Sequence, residues 1–119
     1  MVVLNPFGRA LREGLDLNAL LRTDPEAGGA ELDRLCAETA AELASTSDRI
    51  VYRLVGAEPR YCTPMQYGGF YLERDRELLA SAQEKNQVEL LLEGKDAYLD
   101  FVSDLPADTI THHKEAVNA

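Results

Sequence analysis

The sequence predicts a mainly α fold, a compact helical domain with two longer helices at about 30–55 and 72–93 and shorter flanking helices. Three observations carry this. Leu and Ala are the commonest residues, followed by Glu, with no Trp and comparatively few β-branched residues. Apolar residues recur at three-and-four spacing from Ala30 to Val55. A run dense in Glu, Arg, Leu, Ala and Gln extends from Leu72 to Glu93 and stops at Gly94. The alternative is an α+β domain whose small antiparallel sheet uses 49–55, 88–92 and 97–102. A chain of 119 residues fits a single domain, 1–119, and buries roughly two-thirds of its unfolded surface without disulfides or metal.

Each element has its own local signals. Asn5-Pro6 starts a first helix, with Asn as cap and Pro preset for the first helical position; Gly14 weakens its continuation. Asp16 to Arg22 carries Leu17, Leu20 and Leu21, so this region reads as two short helical pieces or one kinked helix. Thr23-Asp24-Pro25 closes it, and Gly28-Gly29 reads as a flexible joint. In the long helix, Leu32, Leu35, Cys36, Thr39, Leu43, Ser47, Ile50, Val51, Leu54 and Val55 follow three-and-four spacing as its inward stripe, while most charges fall elsewhere. Gly56 and Pro59 supply a stop. Ser45-Thr46-Ser47 is poor helix material and 49–55 alternates like a strand, which is the local form of the alternative fold. In the second half, Val88 to Leu92 has a rival reading as a hairpin with Ala97 to Phe101. Asp96 caps a short helix with Tyr98, Leu99, Phe101 and Val102. Asp108 caps a last helix whose Ile110, His113 and Val117 share a face.

The formal charge of −9 is uneven: Glu77 to Ala119 has nine acids against three lysines, whereas Arg49 to Arg76 has five arginines against three acids. An acidic chain lacks the concentrated Lys and Arg of a phosphate-binding surface, so direct nucleic-acid binding is not expected. The start MVVLNPFGRALREG is too short and too soon interrupted to be a secretory leader. No run reaches the roughly 18 apolar residues of a membrane span. The expected setting is cytoplasmic, with Cys36 and Cys62 as free thiols.

Chemistry finds little support. Cys36 lies on the apolar stripe, Cys62 has only Arg60 to favour its thiolate, and the two histidines, His112 and His113, sit near a terminus. Adjacent histidines cannot chelate as an i, i+4 pair. The Gly28-Gly29 and Gly68-Gly69 pairs lack the spacing of phosphate loops and read as turns; Gly68-Gly69 suits a backbone reversal through positive φ. No cofactor and no metal are expected.

The stretch Arg60 to Arg76 gathers four of the eight aromatic residues with Met65, Cys62 and three arginines. Tyr, Arg and Met concentrate at protein-binding surfaces. One reading folds these rings back over the helix ends. The other makes Arg60, Tyr61, Met65, Tyr67, Phe70, Tyr71 and Arg74 a partner-binding surface, cationic on an acidic protein. The functional expectation is therefore a non-enzymatic protein-protein interaction module, an adaptor, assembly factor or inhibitor, with a second copy among the partners it admits. One alternative is an acidic mimic using Glu84, Glu89, Glu93, Asp96, Asp100 and Asp104 to inhibit a nucleic-acid-binding protein. A small thiol-dependent enzyme is the second.

Overall fold

The computed structural model describes residues 1–113. Four strands, β1 (Val2–Leu4), β2 (Ile50–Leu54), β3 (Val88–Glu93) and β4 (Thr109–His113), form one sheet in the order β1-β2-β3-β4. Every neighbouring pair is parallel. The fold is thus α/β, which corrects both the mainly α expectation and its antiparallel alternative.

The helices are α1 (Pro6–Glu13), α2 (Leu17–Thr23), α3 (Pro25–Ala44), the single turn α4 (Pro64–Gln66), α5 (Leu72–Gln83) and the short α6 (Leu99–Val102). Their starts follow local chemistry. Asn5, Asp16, Asp24 and Thr63 each accept a backbone N–H with the side chain, and Pro6, Pro25 and Pro64 occupy first-turn positions. Between α4 and α5 the chain widens into a π-helical turn, Tyr67–Tyr71.

The expected helix 30–55 is α3 followed by β2. Helix α3 stops at Ala44, where the Ser45 and Thr46 hydroxyls turn back onto the Glu42 carbonyl. Ile50, Val51 and Tyr52 then suit a strand, and β2 finds ladder partners on both sides. The expected helix 72–93 is α5 followed by β3, whose Val88, Leu90 and Leu92 are buried. No hairpin forms: 97–102 contains α6, not a strand. Ile110 and His113 belong to β4 rather than to a last helix, and Val117 lies outside the described residues. Asp108 caps no helix; its carboxylate accepts the Val88 N–H at 2.7 Å.

Two glycine readings also change. Gly28-Gly29 lies inside α3, not at a joint. Gly68 and Gly69 sit in the π-helical turn without positive φ, which among the described glycines belongs to Gly14, Gly56 and Gly94.

Crossovers between neighbouring parallel strands are right-handed, so a sheet that steps 1-2-3-4 keeps its connecting helices on one face. Burial agrees. Val3, Ile50, Tyr52, Leu54, Val88, Leu90 and Leu92 are sealed beneath Leu32 and Leu35 of α3 and Leu78 and Leu79 of α5. The intervening residues of β2 and β3, Val51, Arg53, Glu89, Leu91 and Glu93, are only partly buried. Among the described residues, no helix is long and apolar enough to cross a membrane.

Candidate functional site

The segment Arg60 to Arg76 divides by direction. Tyr67 and Tyr71 turn inward, 0% and 2% exposed, so their rings are core and not surface. Met65 points outward at 87% exposure. Tyr61 and Phe70 are half-buried against the core, and Arg60 is exposed with its guanidinium 5.1 Å from the centroid of the Tyr61 ring. Arg74 reaches away to Asp33 of α3 at 2.6 Å. Phe7 from α1 joins the cluster, edge-on to Tyr71 at 5.1 Å. The seven residues expected to share one surface therefore do not present one.

Beneath them lies a buried polar network that the sequence did not announce. Asp75 of α5 is 1% exposed. It accepts the Tyr52 hydroxyl at 2.5 Å, the Tyr67 hydroxyl at 2.8 Å and the Asn5 amide at 3.3 Å. Burial pushes its pKa up to about 6, while these three donors pull it down. Asn5 also bridges the backbone of Val55, accepting its N–H and donating to its carbonyl. The ends of β1 and β2, the π-helical turn and α5 are thus tied through one carboxylate. Solvent does not reach it, which makes it a brace rather than a reaction centre.

A second network serves Cys62. Asn18 accepts the Tyr71 hydroxyl at 2.6 Å and donates to the Tyr61 carbonyl at 2.9 Å and to the Cys62 sulfur at 3.5 Å. Burial pushes the Cys62 thiol up to about 11, so its nucleophilic thiolate is disfavoured. His112 shares a 2.7 Å hydrogen bond with the Gly94 carbonyl. Among the described residues, no group of three or more His, Cys, Asp or Glu side chains converges as metal ligands would.

In open parallel sheets, ligands gather outside the carboxyl ends of the strands. Here the chain itself narrows that edge to a small cavity between Arg53, Glu58, Arg60 and Glu93: the Tyr98 hydroxyl donates to the Cys62 carbonyl at 2.6 Å, and the Glu58 carboxylate occupies the space where a side chain at Gly94 would stand.

Among the described residues, nothing covers the sheet face opposite the helices. In register across it lie Val2, Val51, Glu89 and Thr109, then Leu4, Arg53, Leu91 and Thr111. Val2 is 60% exposed and Leu4, Val51 and Leu91 are partly so. Two ion pairs cross it between β2 and β3, Arg49–Glu89 at 2.8 Å and Arg53–Glu93 at 2.7 Å. Glu89 and Glu93, two of the six acids a mimic would present, are thereby neutralised. The signal for this face was in the sequence, as the alternation of 49–55 and the apolar run at 88–92. Read as helix, the same residues dissolved into two stripes.

Comparison of the chain with protein-family models, curated proteins and solved structures returned no match.

Proposed function

We propose that the chain is a non-enzymatic protein-interaction module whose contact surface is the open face of its parallel sheet. One observation carries this reading: the sheet is wholly parallel, and its helices cover one face. All-parallel sheets occur almost only with both faces covered, because their strands bury side chains on each side. The open face follows that rule in part: Val2 and Leu4 lie on the edge strand β1, and the central strands place Val51 and Leu91 beside the ion-paired Arg53 and Glu89. It suits a partner presenting an apolar strip bordered by charges of both signs. The contact surface expected from the aromatic segment moves accordingly, since Tyr67 and Tyr71 are spent on the core.

A photo-crosslinking residue in place of Leu91, compared with one in place of Met65, tests this in cells. The expected result is a defined protein adduct from position 91 and none from position 65. Adducts from position 65 alone would return the contact to the aromatic segment and overturn the reading.

A further inference from the structure

We infer that the occupant of the open face is a second copy of the chain, and that two copies close one eight-stranded parallel barrel with β4 of each beside β1 of the other. This rests on reading the open face as a contact surface. Four parallel strands in sequential order, with their helices on one side, are half the repeat of a (β/α)8 barrel, whose strands surround a packed interior and whose helices form the outer ring.

The free edges fit that closure. Met1 and Asn5 bond to β2, through Val51 N–H to the Met1 carbonyl and Asn5 N–H to the Arg53 carbonyl. By the alternation of a parallel ladder, Val3 bonds the same way, and the N–H groups of Val2 and Leu4 point outward. At the other edge the His113 carbonyl accepts from Gly94, so Thr109, Thr111 and His113 face β3 while Ile110 and His112 aim their N–H groups away from the sheet. Each copy therefore offers one parallel edge at β1 and one at β4. The Leu4 carbonyl is engaged by Arg9 at 2.8 Å, which leaves the Val2 N–H and carbonyl and the Leu4 N–H for the seam.

Contents and symmetry agree. The interior of such a barrel holds about three layers of four side chains, about twelve in all. The two in-register rows of each copy bring Val2, Leu4, Val51, Leu91, Thr109 and Thr111 to that interior together with Arg53 and Glu89, whose charges are paired with Glu93 and Arg49. Arg49 and Glu93 stand at opposite ends of the strands and reach Glu89 and Arg53 in the two rows, so both pairs are already neutral. The face thus approaches its own copy without net charge. A twofold axis along the barrel makes both seams identical and leaves no free edge.

Sedimentation equilibrium and amide hydrogen exchange on the full purified chain test the inference. The expected mass is that of two 13.2 kDa chains. The amides of Val2, Leu4, Ile110 and His112 are expected to exchange about 100-fold or more slower than unstructured amides. Ile110→Pro removes an outward N–H and no bond to β3, so it should yield a monomer with an unchanged circular dichroism spectrum. A monomeric wild-type chain overturns the inference. So does a dimer whose four edge amides exchange freely, since its faces would then be stacked rather than joined at their edges. A monomer that still forms an adduct with a different protein from position 91 overturns the second copy while leaving the interaction reading in place.

Discussion

Asp75 carries the sharpest residue-scale consequence. Its folded pKa of about 6 stands above the unfolded value of 3.8, so the fold binds its proton more tightly than the unfolded chain does. The resulting stabilisation is fully present below pH 3.8 and is lost as pH rises through 6. The interval corresponds to about 3 kcal/mol. Urea denaturation of the wild type and Asp75→Asn from about pH 3.5 to about pH 7.5 should give a stability difference that changes by up to about that amount across this window, then levels off. A difference independent of pH would mean that the carboxyl titrates normally. Asp75 could not be picked out beforehand because it sits within Glu73-Arg74-Asp75-Arg76-Glu77, a run that reads as solvated. Its donors come from 8, 23 and 70 residues away. Tyr67 and Tyr71 illustrate the same limit: their composition fits a binding surface and a core equally well, and only the position of the sheet decides.

At the scale of elements, adjacent glycines in α3 predict opposite outcomes. A side-chain carbon on Gly28 would stand 2.7 Å from the Leu21 Cα, because α2 and α3 close on each other there. At Gly29 nothing lies within 4 Å. Gly29→Ala should therefore stabilise the protein by about 0.5–1 kcal/mol through helix propensity. Gly28→Ala should destabilise it by about 1–3 kcal/mol, since the backbone of α2 must give way. Thermal denaturation of both variants checks this; equal effects would show that α2 does not press on α3. The helix starts were legible because a cap and a proline act within one turn. The strands were not, because Val88–Glu93 reads by propensity as helix, and its strand state depends on ladders with β2 and β4. The pattern at 49–55 did carry the strand signal, and the spacing inherited from α3 outweighed it. Parallel pairing in particular leaves no local mark, since its partners lie dozens of residues apart rather than across a turn.

For the whole molecule, the proposed closure by a second copy would couple folding to concentration. Association adds to stability by mass action, so the midpoint of thermal unfolding should rise as the chain is concentrated over about two orders of magnitude. Leu91→Glu, which places an unpaired charge on the open face, should remove that dependence while leaving the low-concentration midpoint nearly unchanged. A midpoint that ignores concentration in the wild type would contradict the pairing. The formal charge of −9 modulates the effect, because two acidic exteriors repel each other less as salt rises.

The outward amides of Val2 and Ile110 leave open how growth would end. In the proposed pairing each copy has a β1 edge that accepts a neighbour's β4, and that rule by itself sets no limit on the number of copies. The limit is curvature: assembly stops at two only if every strand turns the sheet by about 45°, one eighth of a circle. A flatter sheet would carry the same edges past closure, and the same contacts would then build an open filament. The bend of the sheet, set by the helices packed behind it, thus separates a finite particle from an endless one.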